Sequence, residues 1–184
     1  DGKTKLEEKL ATNHGLMDDM PKINRDSYIT SYERTNGTNQ ISVIDGFKIS
    51  SNYVFRRLVK DHYGENPEEF IHRLHQYNFG DAYEFALEES GISDLRIPHP
   101  DDAGWSIYDL VSVAIGYSVR VTPLQIVTFY NAIANKGKML SPLLVKEVRK
   151  DGRVVEEFES KVVKSSLCGS ETLEEIKTCL HDVV

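Results

Sequence analysis

Thr122-Pro123-Leu124-Gln125 opens the segment that most limits what this chain can fold into. Thr and Gln three residues apart form a capping box, and proline suits the first helical position. A helix is predicted from there to about Asn135, with Gly137 ending it. Leu124, Ile126, Val127, Phe129, Tyr130, Ala132, Ile133 and Ala134 would cover almost every face of that helix. A helix apolar all round is a buried helix, so this one is expected at the centre of a core, with other elements around it.

Helix signals supply those elements. Ser42-Val43-Ile44-Asp45 reads as a capping box with Asp in place of Glu, opening a short helix that ends near Ile49. Val54, Phe55, Leu58, Val59 and Tyr63 recur at helical spacing, and Gly64 reads as the residue after the helix. Asn66-Pro67-Glu68-Glu69 starts another helix with Phe70, Ile71, Leu74 and Asn78 inward. Ser106-Ile107-Tyr108-Asp109 caps a further one behind Trp105, a packing anchor. Leu143–Val148 reads as a strand, Asp151-Gly152 as a hairpin turn, and Arg153–Phe158 as the return. Ser170 or Thr172 caps a last helix, about 171–183, whose stripe is Leu173, Ile176, Cys179, Leu180 and Val183.

The fold class that follows is mainly α with a small β-hairpin. Residues 1–41 form a loop-rich lead-in, 42–137 a helical subdomain, 143–158 the β-hairpin and 170–183 the C-terminal helix, all in one unit spanning 1–184. Residues 81–104 read as irregular. The 184 residues, 40% hydrophobic and 28% charged, suit one globular domain. A net charge of −7 without a Lys/Arg cluster excludes a nucleic-acid footprint. No apolar run approaches the roughly 18 residues of a membrane helix. Cys168 and Cys179 do not make a disulfide framework. The chain opens at Asp1-Gly2-Lys3 and stops at Val184 inside an apolar pattern, which suggests a soluble fragment of a larger protein.

Ser50-Ser51-Asn52 lies between two predicted helices. Ser and Asn are preferred N-caps, so the triplet reads first as a cap. The sharper reading is a Ser-x-Asn catalytic motif, in which Ser50 and Asn52 face one cleft and a nucleophile arrives from elsewhere. Glu69 and His72 have Glu-x-x-His spacing, but a carboxylate-bridged metal site needs a second copy on a facing helix. The sequence holds none, so no metal and no cofactor are expected. His72 and His75 read as polar residues at the helix edge.

An ordered set of motifs decides between the two readings of the triplet. Ser50-Ser51-Asn52 with Tyr53-Val54-Phe55 is followed by Gly116-Tyr117-Ser118 and by Val121-Thr122-Pro123-Leu124-Gln125. Phe129-Tyr130-Asn131-Ala132-Ile133-Ala134-Asn135 and Gly137-Lys138-Met139 complete it. In this order and spacing the chain resembles the transpeptidase domain of class B penicillin-binding proteins, of the cell-division type found in Bacteroidetes-like bacteria. The resemblance implies the helical subdomain of the β-lactamase/transpeptidase-like α/β fold, with most of the central sheet missing. It implies a serine-type D,D-transpeptidase that cross-links peptidoglycan stem peptides through an acyl-serine and binds β-lactams. Ser50 would be the relay hydroxyl and Asn52 the positioning amide, both catalytic, with Ser51 substrate-binding.

The same resemblance implies roles in the cell wall, cell division and cell shape. The parent would be single-pass anchored in the bacterial inner membrane, acting at its periplasmic face with the cell-division machinery. Two alternatives stand beside it: a β-lactam-sensor fragment, and a helical interaction module without catalysis. Neither Ser-x-x-Lys nor Lys-Thr/Ser-Gly occurs in the chain. In the family these would lie before Asp1 and after Val184. The bare stripe of the last helix leads to an expectation of weak self-association, or of a poorly ordered helix.

Without a neighbouring lysine, Ser50 carries an unactivated hydroxyl. Intact-mass measurement after incubation with a fluorescent penicillin is therefore expected to show no adduct on this chain. A stoichiometric adduct would contradict the reading of Ser50 as a relay group.

Overall fold

The computed structural model describes residues 3–17, 24–80 and 95–183. Two compact units emerge from the contacts. One comprises residues 1–73, 97–119 and 174–184, and the other 74–96 and 120–173.

The first unit begins with β1 (Lys9–Ala11), the 3-10 turn Asn13–Gly15, β2 (Leu16–Met17) and β3 (Asn24–Arg25). Next come α1 (Ser27–Asn36) and β4 (Gln40–Ser42). β1 pairs antiparallel with β4 and β2 with β3. The lead-in thus holds regular structure where the sequence reading expects loops. α1 is short of strong helix formers, and its main signal is its cap, Asp26. Asp26 Oδ1 accepts the Tyr28 N–H at 3.0 Å, and Gly37 closes the helix in the left-handed region.

The expected helices follow. α2 (Val43–Lys48) starts under Ser42, whose hydroxyl accepts the Asp45 N–H at 3.2 Å. α3 (Asn52–Tyr63) is capped by Ser51. Gly46 sits where the two cross: a Cβ there would meet the Val54 methyls at 2.7 Å, so only glycine admits this approach. Gly64 does not adopt the expected left-handed form. Its φ is −60° and its N–H bonds Lys60 O, so the chain rolls onward into α4 (Pro67–Gln76). α5 (Ile107–Val113) opens with the predicted Ser106–Asp109 box and packs on α3. Leu10, Met17, Ile29, Ile41, Val43, Tyr53 and Val54 form one buried cluster, joining β1, β2, α1, β4, α2 and α3. Trp105 is half-buried.

The second unit is built on α6 (Pro123–Ala134), which has both halves of its capping box. Gln125 is buried and donates to Asn78 O at 3.1 Å. Phe129 packs its ring against Tyr77 and Phe79, with centroids 5.4 and 5.2 Å away. The helix is not buried all round, as its composition predicts. Gln125, Thr128, Ala132 and Ile133 are buried, while Ile126, Val127 and Tyr130 are exposed. A groove of about 560 Å³ lies along it, lined by Leu124, Val127, Thr128, Asn131, Leu140 and Leu143 among others. Apolarity on all faces needs neighbours on all faces, and within the described residues this helix is covered on one.

β5 (Met139–Leu140), β6 (Glu147–Lys150), β7 (Arg153–Glu157) and β8 (Val162–Lys164) complete this unit. β6 and β7 form the predicted hairpin, with Asp151 and Gly152 both at positive φ as a two-residue turn requires. Pairing starts at Glu147, later than expected; among the described residues Leu143 and Leu144 have no partner strand and lie exposed. β5 pairs with β8, a pairing the sequence reading did not find.

The last helix, α7 (Ser170–His181), is formed. Leu173 and Cys179 are buried and Ile176 and Leu180 half-buried, with only Val183 of the stripe exposed. The stripe expected to lie bare is largely covered by the chain itself. The sheets are small and two-stranded and the helices hold most of the regular structure among the described residues, which gives the mainly α class expected for this part of the fold.

The one-sided burial of α6 has a measurable consequence. Ile133→Ala is expected to cost about 2–5 kcal/mol, whereas Val127→Ala stays within about 0.5 kcal/mol. Denaturant melts giving equal losses would mean that both faces are packed.

Candidate functional site

The backbone leaves α2 through Ile49, turns at Ser50 and enters α3 at Asn52. Ser50 has φ +53°, a left-handed conformation that costs a non-glycine residue on the order of 1–2 kcal/mol. Two backbone bonds of 2.9 Å hold the turn, from Ser50 N–H to Phe47 O and from Ser51 N–H to Gly46 O. Ser50 and Asn52 are exposed, and Ser51 between them is fully buried.

The triplet therefore divides its labour. Ser51 is the cap: its hydroxyl accepts the Val54 N–H at 3.2 Å and donates to Asp26 Oδ2 at 2.8 Å. The expected substrate-binding role of Ser51 falls on a side chain that is enclosed and whose hydroxyl is committed. Ser50 and Asn52, the expected catalytic pair, flank this buried post with solvent access. The cap reading and the Ser-x-Asn reading thus describe different residues of one triplet.

Asp26 is the residue that sequence reasoning missed. It is 6% exposed, and Oδ2 also accepts the Tyr53 N–H at 3.0 Å. Its one legible signal was its place before α1, where an aspartate makes a good cap. Further ties surround it. The Tyr53 hydroxyl donates to Ala11 O at 2.9 Å. Tyr32 on α1 donates to Asp45 on α2 at 3.0 Å, and burial followed by that carboxylate raises the Tyr32 pKa. Thr12 donates to Glu33, and this bond holds the Glu33 carboxyl below its ordinary range, with His14 adding to the effect.

Two residues before Ser50, Lys48 forms a 3.0 Å ion pair with Asp182 at the end of α7. The bond to Asp182 raises the Lys48 pKa, and the same bond lowers that of Asp182. The Glu-x-x-His pair is used otherwise than in a metal site. Glu69 bonds Lys3 at 2.9 Å and Arg73 at 3.2 Å, which lower its pKa in that order, and His72 and His75 are exposed. Among the described residues no group of three or more His, Cys, Asp or Glu is placed to hold a metal ion. Nor is any helix among them long and apolar enough to cross a membrane.

Residues 4–184 match the family described as the penicillin binding protein transpeptidase domain. No curated protein sequence matches the chain. Two solved structures share its fold. A peptidoglycan glycosyltransferase from Burkholderia ambifaria superposes with a TM-score of 0.73 at 18% identity, over 98% of this chain and 50% of its own. The apo TP domain of Burkholderia pseudomallei penicillin-binding protein 3 gives 0.71 at 19% identity, over 98% and 47%. The chain spans about half the length of these relatives.

The Lys48–Asp182 pair near the site predicts a titration. The folded pKa of Asp182 lies below its ordinary 3.8, so the pair's stabilisation is present above 3.8 and is lost as pH falls through the lowered value. Carboxyl-carbon NMR is expected to find the Asp182 midpoint below 3.8 and to see Lys48→Met shift it upward. A midpoint unmoved by the substitution would mean that the pair does not form in solution.

Proposed function

This chain belongs to the penicillin-binding protein transpeptidase domain family, and we propose that it is the central part of a peptidoglycan D,D-transpeptidase. The finer assignment, on the ordered motifs from Ser50 to Met139, is a class B enzyme of the cell-division type. Such a parent is anchored in the inner membrane, works at its periplasmic face, and is acylated by β-lactams. Coverage of only about half of the related structures is what supports a longer parent.

The reaction needs a serine nucleophile with a lysine base, which this chain does not contain and which the parent supplies. The serine attacks a stem-peptide carbonyl, and the amide nitrogen that leaves must gain a proton. Ser50 relays that proton: its hydroxyl accepts one from the lysine side and donates one to the leaving nitrogen. Asn52 holds the lysine and the substrate backbone in register through its carboxamide, an orientation role. A second amine, on the acceptor stem peptide, then takes the acyl group and releases the serine.

The observation that carries this reading is the split exposure of the triplet. A cap alone needs Ser51 only. Here the residues on either side of the cap remain solvent-accessible, one of them in a left-handed turn. Turns of this kind gather at functional sites, where surrounding contacts hold them.

The experiment is acylation of the full-length enzyme by benzylpenicillin. Ser50→Ala is expected to slow it by roughly 10²–10⁴-fold, the range for losing one proton-transfer group. Asn52→Ala is expected to slow it by at least about tenfold through lost positioning. Unchanged rates in both variants would contradict the assignment. A gene whose flanks lack Ser-x-x-Lys and Lys-Thr-Gly would point instead to an interaction module.

A further inference from the structure

We propose that Asp26 is the positioning residue of the Ser-x-Asn site, fixing through its buried carboxylate the backbone that presents Ser50 and Asn52. The inference rests on the reading of those two residues as the reacting side of the triplet.

An N-cap needs one carboxylate oxygen, and Asp26 Oδ1 fills that role on α1 through Tyr28 N–H. Oδ2 serves a different element. It receives the Ser51 hydroxyl at 2.8 Å and the Tyr53 N–H at 3.0 Å, across 25 and 27 residues of sequence. These two donors sit on the residues immediately before and after Asn52. Holding both sets the direction in which Asn52 leaves the helix start.

The Ser51 hydroxyl is locked in turn. It has one proton, given to Asp26, and it receives the Val54 N–H. With its hydroxyl so engaged, Ser51 holds the chain at the point where Ser50 makes its left-handed turn. Asp26 is itself held, since its N–H donates to Gly15 O at 2.8 Å. The carboxylate is 6% exposed, so water does not compete strongly for these bonds. Asp26 touches no reacting atom. It acts through Asn52 and Ser50, by way of the bonds that fix the residues on either side of Asn52.

Asparagine at 26 separates the two jobs. Asn is as good an N-cap as Asp. Its one carbonyl oxygen can stay on Tyr28 N–H, while its NH₂ group faces the Tyr53 N–H as donor against donor. Asp26→Asn therefore keeps the cap of α1 and breaks the tie to α3. Ser51→Ala removes one of the two bonds between Asp26 and α3, together with the cap on Val54 N–H, and leaves Asp26 bonded to Tyr53 N–H.

The test is the second-order rate constant for acylation of the full-length enzyme by benzylpenicillin, with melting midpoints measured alongside. Asp26→Asn and Ser51→Ala are each expected to slow acylation on the order of 10–100-fold, as a small misplacement of a catalytic group does. In an Asn52→Ala background the same substitutions are expected to cost less than about threefold, because residues acting as one unit are not additive. A loss of equal size in both backgrounds assigns Asp26 a general folding role and overturns the proposal. So does an acylation rate within about twofold of wild type in both Asp26→Asn and Ser51→Ala while Ser50→Ala is slow, and this outcome leaves the site reading intact. Wild-type acylation in Ser50→Ala would remove the reading on which the proposal stands. Should Asp26→Asn fail to fold, Ser51→Ala decides alone.

Discussion

One buried carboxylate joins the start of α1 to the start of α3. Asp26 accepts three protein donors, two backbone N–H groups and one hydroxyl, drawn from both helices. Burying a carboxylate is costly unless its acceptors are filled, and here the donors are those that helix ends leave without intrahelical partners. Each half of the arrangement resolves the need of the other. The core cluster gathers around this tie: Ile29 comes from α1, Val43 from α2, and Tyr53 and Val54 from α3. Gly46 makes the approach of α2 to α3 close enough for Val54 to be fully enclosed. The exposed Ser50 and Asn52 follow from the same geometry, because the residue between them is the one drawn inward.

The second unit obeys a different constraint. α6 carries apolar side chains on every side but, among the described residues, is packed on one, through Gln125, Thr128, Ala132 and Ile133. Its other side borders an open groove with Val127 and Leu143. The related structures are about twice as long as the length they share with this chain. A helix whose composition asks for neighbours on all sides and that is covered on one side by the described residues fits the proposed longer parent, as does the partial coverage.

Local chemistry was legible where a helix cap is followed by an apolar periodic run, and illegible at Asp26, whose helix has no such run. Ser106 and Thr122 form the capping boxes their four-residue motifs spell out, while at Ser42 only the serine half forms, its hydroxyl accepting the Asp45 N–H. The Asp151-Gly152 turn was legible as a local motif of the same kind. What escaped were contacts between residues far apart. α1 lies in a run of Ser, Thr, Tyr and Asn with little helical preference, and Asp26 gains its importance from Ser51 and Tyr53, which no spacing rule links to it. The exposure of Ile126, Val127 and Tyr130 was also illegible, since periodicity tells how apolar a face is and not what covers it. The last helix erred the other way: Leu173 and Cys179 found cover within the chain. At the candidate site, the Ser-x-Asn resemblance pointed to the turn between α2 and α3, while the inward direction of Ser51 needed coordinates.

Ser50 and Asn52 are proposed to form one edge of a transpeptidase site, with Ser51 as the post between them. The most direct measurement is a crystal structure of the full-length enzyme acylated by a penicillin. The account predicts Ser50 Oγ and the Asn52 carboxamide within hydrogen-bond reach, about 2.6–3.2 Å, of the acyl group or its lysine partner. It also predicts Ser51 still bonded to Asp26. An acyl-serine seated elsewhere, with Ser50 and Asn52 facing bulk solvent, would contradict it.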